Sequence, residues 1–339
     1  MLNGHGNDIF KYNKIVADFS SNVVPKDYNE KLLKNLCAKG FDLNFLINYP
    51  EPDAGVCSKL FEERNHLVPN SVLTLNGSVE GVYLIAETFK KSKTLIFTPT
   101  FMEYEDGANR FGHKIIFKSN SDFEIKEGFD LVFLCNPNNP DGKVLDLEKV
   151  KYYLKRFSKT LFVMDEAYGE LCKGFESYIG LVKKYRNLIV LKSFTKLYSL
   201  PGIRLGFLVG SPKMVANIIK RKIPWSVNNI ALNFGRIILQ SPEDIKVDTR
   251  KLFENSEKLK SELLKLKDLK VYPSNTTFFL LKSKVLKAKK LKKLLIQRHK
   301  ILIRDCSNFR GLTDYHFRIS TQTEEKNDLL LGALKEIYG

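Results

Sequence analysis

Little in this chain of 339 residues points to a membrane, an oxidising compartment or a metal. The five cysteines (37, 57, 135, 172 and 306) are scattered, with no CxxC spacing and no even count. This argues against a disulfide framework or a zinc site, so no metal is expected, and it fits a reducing, cytoplasmic setting. No apolar run approaches the length needed to span a bilayer, and Met1 to Phe10 is polar and glycine-containing, unlike a signal peptide. No membrane partner is therefore expected. Internal repeats, low-complexity tracts and long linkers are also missing. Acidic residues are the minority, 38 against 55 Lys and Arg, for a formal net charge of +17. That excess would permit nucleic-acid binding, but no nucleic-acid module is recognisable and Lys is spread along the whole chain. In the densest run, Lys282 to Lys300, the lysines 284, 287, 289, 290, 292 and 293 alternate with leucines at helical spacing. They read as the solvated face of an amphipathic helix. No nucleic-acid partner is expected; the surplus is compositional, with attraction of anionic substrates as a secondary effect.

What is present is an ordinary globular composition, 43% hydrophobic and 27% charged, in a chain long enough for one large core and a smaller companion. Between about residues 70 and 210, helix-like segments such as Ser78–Lys90 and Leu147–Phe157 alternate with short apolar runs. These runs are Thr94–Thr98, Lys114–Phe117, Asp130–Cys135, Leu161–Asp165, Asn187–Leu191 and Leu205–Val209. Near-continuous apolar runs suit strands buried on both faces of a parallel sheet, so the spacing predicts an α/β fold with its site at the carboxyl ends of the strands. After Pro224 the expected order is helices over Asn228–Gln240 and Thr249–Leu266, a strand over Tyr272–Leu281, the lysine-rich helix, strands Ile301–Arg304 and His316–Ser320, and a terminal helix from Glu324. The expected division is an N-terminal arm (1–25), a large domain (26–227) and a smaller α+β domain (228–339), with 26–45 packing against the smaller one.

The chemistry-bearing residues fall at the predicted strand ends. Ser193-Phe194-Thr195-Lys196 follows the run Asn187–Leu191, with Arg204 further on. A lysine at the end of a buried strand is costly to desolvate unless it is neutralised, paired or used covalently. Taken alone, Lys196 reads better as a surface lysine in a strand-to-loop turn. Cys135-Asn136-Pro137-Asn138-Asn139-Pro140-Asp141-Gly142 closes another run with dense turn signals. Val163-Met164-Asp165-Glu166-Ala167-Tyr168 closes a third with a carboxylate and a phenol; an aspartate there could simply cap a helix. The ordered set Asn, Asp with Tyr, Lys, then Arg is far more specific than any one motif.

Together these residues resemble the fold-type I pyridoxal phosphate (PLP) enzymes, the aminotransferase superfamily, and its histidinol-phosphate aminotransferase branch. The resemblance spans nearly the whole chain and implies a mostly parallel central sheet in a large domain plus a smaller α+β domain. It implies Lys196 as the lysine that binds the cofactor covalently, Asp165 as partner of the pyridine nitrogen, and Asn139 and Tyr168 as partners of the ring's phenolic oxygen. Ser193, Arg204 and the helix-opening Gly77-Ser78-Val79 would hold the cofactor phosphate. Tyr104, after Pro99-Thr100-Phe101, matches the aromatic residue that stacks on the ring. Tyr49, in Asn48-Tyr49-Pro50, matches a tyrosine reaching the phosphate of a neighbouring subunit, which implies a homodimer with shared sites. The family's usual Thr in the Asn-Pro turn is Asp141 here; the turn chemistry survives, but the sequence does not place its carboxylate.

Four further segments resemble the threonine-phosphate decarboxylases of cobalamin biosynthesis: His5-Gly6-Asn7, Asp18 to Asn22, Pro224-Trp225-Ser226-Val227-Asn228 and Ile301 to Phe309. This resemblance implies that Arg304, Arg318, Asn22 and Asn139 bind a small phosphorylated amino acid, with His5 joining from a mobile arm. From composition alone His5 is a solvated loop histidine, Arg304 a surface charge and Asn22 a turn residue. The implied reaction is decarboxylation of L-threonine O-3-phosphate to 1-aminopropan-2-yl phosphate, or of L-serine O-phosphate to ethanolamine phosphate. Val24, where family members often have a polar residue, favours a member whose substrate has drifted. The alternatives are histidinol-phosphate aminotransfer and, from another class, a non-catalytic basic binding protein on the same scaffold.

Overall fold

A computed structural model describes residues 6, 8–40, 42, 44–240 and 247–338. In chain order the strands are β1 (Ala17–Asp18), β2 (Val72–Leu75), β3 (Lys93–Thr98), β4 (Lys114–Ser119), β5 (Leu131–Cys135), β6 (Leu161–Asp165), β7 (Leu188–Ser193) and β8 (Gly206–Val209). They continue with β9 (Leu269–Val271), β10 (Phe278–Ser283), β11 (Ile301–Leu302), β12 (Arg304–Asp305) and β13 (His316–Ser320). A seven-stranded sheet has the order β2-β8-β7-β6-β5-β3-β4. β3 to β7 pair in parallel, while β8 runs antiparallel to both β7 and β2. This is the fold-type I architecture that the sequence predicts.

The central parallel strands form because their residues are apolar at nearly every position and both faces are covered. Alternate residues feed two cores: Val132, Leu134, Phe162, Met164 and Val190 face one side, Phe133, Leu161, Val163, Ile189 and Leu191 the other. β4, the edge strand, carries Lys114 and Lys118 and is partly exposed, which discourages pairing with another chain. β2 was not among the expected strands. It is only four residues long, between the turn residues around Asn70 and Asn76, too short to register as a period.

A second sheet, order β12-β13-β10-β9, is antiparallel throughout, and β1 pairs in parallel with β11. Of the expected strand Tyr272–Leu281 only Phe278–Leu281 is strand, within β10; residues 272–277 form the connection from β9, which ends at Val271. Pro273 lacks an N–H for the ladder, and the Ser274 and Thr276 hydroxyls donate to Phe278 O at 2.8 and 3.2 Å. The expected strand Ile301–Arg304 divides: Ile301–Leu302 pairs with β1, and Arg304–Asp305 with β13. The lysine-rich helix, Ala288–Leu294, buries Ala288 and Leu291 and leaves Lys289, Lys290 and Lys293 in solvent.

The cores do not divide where the sequence suggests. The Asn229–Gln240 helix buries Ala231, Leu232, Phe234 and Ile238 in the core of the seven-stranded sheet, not beneath the second sheet. Leu32 and Leu36, expected against the smaller unit, join that same first core. Conversely, Ala17 and Phe19, assigned to the arm, lie in the second core with Phe279, Phe317 and Ile319. Periodicity identifies a helix's buried stripe but not what covers it. Among the described residues no helix is long and apolar enough to cross a membrane.

The Ser78–Thr88 helix is pressed onto the sheet at Gly81, where an added Cβ would lie 2.7 Å from Leu191 Cδ2 and 2.8 Å from Leu75 Cδ1. Gly81→Val should therefore destabilise the protein by about 1–3 kcal/mol by overpacking. The check is the denaturation midpoint in urea; an unchanged midpoint would mean that this contact yields freely.

Candidate active site

The register of the parallel strands brings their last residues to one level, with Cys135 opposite Asp165 and Asp165 opposite Leu191. Asp165 is buried between strands. The Tyr104 hydroxyl donates to its Oδ2 at 2.7 Å and the Ala167 N–H to its Oδ1 at 3.0 Å. Burial raises its carboxyl above the usual range, against those two donors and the positive charges of Lys196 and Lys192. Three residues on, burial pushes the Tyr168 phenol up to about 12. β7 ends at Ser193, whose side chain caps the short Phe194–Leu197 helix and hydrogen-bonds the Thr195 hydroxyl at 2.7 Å. Lys196, in that turn, places Nζ 5.7 Å from the centre of the Tyr168 ring. Burial, then the charges of Arg204 and Arg318, lower the Lys196 amine to about 8, with Asp165 opposing. It is thus held near the point where a lysine becomes a nucleophile.

Arg204 has a left-handed backbone (φ +58°), donates Nη1 to Pro201 O at 2.9 Å, and extends across Gly77. A Cβ at Gly77 would collide with that guanidinium, and its own φ of +75° and ψ of 156° suit glycine alone. Gly77 caps the Ser78–Thr88 helix without a side chain, so the helix N-terminus meets the Arg204 guanidinium in a cradle suited to an anion.

Val79, Asn139, Tyr168, Lys196 and Arg204 form one side of a cavity of about 450 Å³. The other side includes Asn22, Arg304, Phe309 and Arg318. Arg304 and Arg318 stand directly opposite each other on β12 and β13 and are only 8% and 5% exposed. Arg318 donates to Asn139 Oδ1 and, at 2.8 Å, to Ser20 O, while its Nε has no partner. Arg304 donates to Asp305 O at 2.6 Å and Asn308 Oδ1 at 3.0 Å. Two buried like charges facing each other across a ladder are unfavourable unless an anion joins them. Asn22 is 2% exposed; its amide lies beside the Tyr168 phenol, but neither its nitrogen nor its oxygen makes a well-formed hydrogen bond. Such a group lining a cationic cavity calls for a polar ligand. The chain before β1 also reaches this side: a Cβ at Gly6 would lie 2.8 Å from Ser20 O and 3.3 Å from Arg304 Cδ.

A family model described as aminotransferase class I and II matches residues 47–334. The chain belongs to this family. Among curated members, it is 29% identical to the threonine-phosphate decarboxylase of Salmonella typhimurium, over 95% of this chain and 91% of that one. It is 32% identical to histidinol-phosphate aminotransferase 1 of Carboxydothermus hydrogenoformans, over 96% and 92%. Among solved structures it resembles the L-threonine-O-3-phosphate decarboxylase of Porphyromonas gingivalis, with a TM-score of 0.88 and 33% identity over 95% of this chain and 99% of that one. The aminotransferase class I and II family is PLP-dependent. The cleft fits that group: a buried carboxylate for a ring cation, a lysine with a lowered pKa, and an anion cradle around Gly77 and Arg204.

Of the residues expected from sequence, Asn22, Val79, Asn139, Tyr168, Lys196, Arg204, Arg304 and Arg318 line this one cavity. Asp165, Gly77, Ser78 and Ser193 adjoin it as described. Tyr104 departs from expectation. Rather than facing the cavity, it lies flat against Phe133, centroids 5.2 Å apart, behind Asp165. The aromatic residue of that loop which lines the cavity is Phe101, part of the Pro99-Thr100-Phe101 segment but passed over. Tyr49 is 84% exposed and outside this chain's cavity, its ring tilted against Trp225 with centroids 5.5 Å apart. His5 lies outside the described residues. The Asp141 carboxylate accepts from Asn138 Nδ2 at 2.7 Å and Lys143 N at 3.2 Å, so it serves its own turn. Phe309 and Thr195 were missed, although both sit inside segments already singled out.

An amine with a pKa of about 8 is protonated below that pH and nucleophilic above it. Covalent capture of PLP by the apoenzyme, followed by visible absorbance, should therefore speed up with pH around a midpoint near 8. Because Arg204 lowers that pKa, Arg204→Met should move the midpoint upward. A midpoint above 10 in the unsubstituted protein would refute the electrostatic account.

Proposed function

We propose that this protein is a PLP-dependent decarboxylase of an O-phosphorylated hydroxy amino acid, L-threonine O-3-phosphate or L-serine O-phosphate. The observation that carries this reading is the facing pair Arg304 and Arg318, with the buried Asn22 amide lining the same cavity. Two buried guanidiniums and an amide suit a substrate with two anionic groups, a phosphate and a carboxylate. Similarity to threonine-phosphate decarboxylases from two organisms supports it.

Bound PLP supplies an electron sink for the pair released when a bond at the substrate Cα breaks. The rest is work for the chain. Asp165 presents a carboxylate to the ring nitrogen, and Asn139 and Tyr168 present polar groups to the ring oxygen. Gly77, Ser78, Val79, Ser193 and Arg204 hold the cofactor phosphate, and Phe101 offers a flat apolar surface. Arg304, Arg318 and Asn22 grip the substrate at two points, and this grip decides which Cα bond faces the sink. By fixing the substrate carboxylate, these residues would favour breaking its bond to Cα over breaking the Cα–H bond. Lys196, its amine titrating near pH 8, then supplies the proton that replaces the carboxylate at Cα. In balance, one amino acid and one proton yield one amine and one carbon dioxide.

Side-by-side assays with phosphothreonine, phosphoserine and histidinol phosphate, scoring carbon dioxide and 2-oxo acid turnover, test the reading. Carbon dioxide is expected from at least one phosphoamino acid, and Lys196→Ala should abolish it. Amine transfer from histidinol phosphate to 2-oxoglutarate, with no carbon dioxide from either phosphoamino acid, would assign the protein to the aminotransferase activity instead.

We further propose a homodimer with shared sites, since Ile47, Tyr49, Ile223 and Trp225 form an exposed apolar patch beside the tyrosine the family directs across the dimer. Mixing subunits bearing Tyr49→Ala with subunits bearing Lys196→Ala should restore up to about a quarter of wild-type activity, because half the dimers then hold one intact site. A monomeric mass by light scattering would overturn this arrangement.

A further inference from the structure

The helix that opens at Ser78 carries a carboxylate in its first turn, Glu80. Acids are favourable at a helix N-terminus, but here the same N-terminus forms the anion cradle, and an acid beside it competes with a phosphate. Glu80 is nevertheless structurally occupied. Its Oε2 accepts the Asn76 N–H at 2.6 Å, which fixes the turn Asn76-Gly77-Ser78 immediately before the helix. The charge is met from elsewhere. Lys222 Nζ lies 3.1 Å from both Glu80 oxygens and 2.7 Å from Ser226 Oγ, and its side chain is only 3% exposed. Lys222 is remote in sequence, on the segment Lys222–Ser226 that carries Trp225.

We propose that Lys222 is a positioning residue for the cofactor phosphate: it neutralises Glu80, so that Glu80 can hold the Gly77 turn without repelling the phosphate bound there. The inference rests on the PLP reading of the cleft, not on which reaction follows. Without Lys222, Glu80 faces two poor alternatives. Ionised, it repels the incoming phosphate across a few ångströms; turned to solvent, it releases Asn76 and loosens the turn. The remedy is a side chain that keeps an acceptor but loses the charge, which glutamine provides.

The test is absorbance titration of apoprotein with PLP and with pyridoxal, which lacks the phosphate. Lys222→Met should weaken PLP binding by about tenfold or more and leave pyridoxal binding within twofold of wild type. The double variant Glu80→Gln with Lys222→Met should recover most of the lost PLP affinity. Equal losses for PLP and pyridoxal, unchanged PLP affinity, or failure of the double variant to recover would each overturn the proposal. If Lys222→Met does not fold, Glu80→Gln alone decides: it should bind PLP at least as well as wild type, and a selective loss of PLP affinity refutes the role. Failure of the wild-type protein to bind PLP at all would instead refute the cofactor reading, a different result from any of these.

Discussion

The carboxylate of Asp165, desolvated at the end of the central strand β6, is the constraint that the surrounding structure answers. Burial raises its pKa, so it stays ionised only with donors and positive charge close by. Tyr104 and the Ala167 N–H supply the donors from behind and beside it. Lys196 and Lys192 supply charge from the neighbouring strand β7 and its turn. Each supplier is fixed by something else: Tyr104 by Phe133 on β5, and Lys192 by the buried carboxylate of Glu166 and by Glu170. The flat register of the parallel strands makes these residues neighbours. A slip of one position would turn Asp165 to the other face of the sheet.

Across the cavity two guanidiniums, Arg304 and Arg318, face each other on β12 and β13, oriented in part by the oxygens of Asp305, Asn308 and Ser20. Such a pair is uncomfortable empty and comfortable filled, so the energy of an anionic ligand is partly the relief of that repulsion. The second core makes it tolerable. β12 and β13 are backed by Phe279, Phe317 and Ile319, and the segment through Ser20 to Asn22 is tied down where the Phe19 N–H donates to Leu302 O at 2.8 Å. The chain ahead of it is pinned by Asp8, 2.8 Å from Lys292 on the lysine-rich helix. One lysine of that basic run therefore has a specific structural task.

Residues whose role depends on strand termini were legible in the sequence. Asn139, Asp165 and Lys196 lie at or just beyond the ends of near-continuous apolar runs, and Arg204 just before one; such runs locate a buried sheet and its edge. Choices of direction were not legible. Phe101 and Tyr104 are three residues apart at the start of one helix, and which of them faces the cavity depends on where Phe133 and Asp165 wait on other strands. Likewise, the stripe on Asn229–Gln240 predicts burial but not the partner, so its place in the first core emerges only with the fold. The break at Tyr272–Thr277 was hidden because hydroxyl residues read as strand formers, whereas here their side chains bond back to Phe278 O. Asn22 shows the sharpest difference. Its type suits a turn; apart from the resemblance, only its burial in the cavity wall beside Tyr168 marks it as ligand-facing.

These strands of argument converge on a division of labour between the two sheets. The parallel sheet holds groups whose neighbours are nearly complete: Asp165 has its donors, Ser193 its cap, and Gly77 a conformation that only glycine takes. The antiparallel sheet and the segment after β1 hold groups whose neighbours are less complete: Arg318 Nε has no partner, and Asn22 makes no well-formed hydrogen bond. Completed groups cannot respond to a ligand, and so they suit a cofactor that stays. Incomplete groups gain most when a ligand arrives, and so they suit a substrate that comes and goes. Arg318 joins the two, since one guanidinium reaches both Asn139 on the cofactor side and Ser20 on the substrate side. An anion drawn to Arg318 thus acts on the group expected at the cofactor's ring oxygen, and substrate charge is felt at the reacting ring through a single side chain.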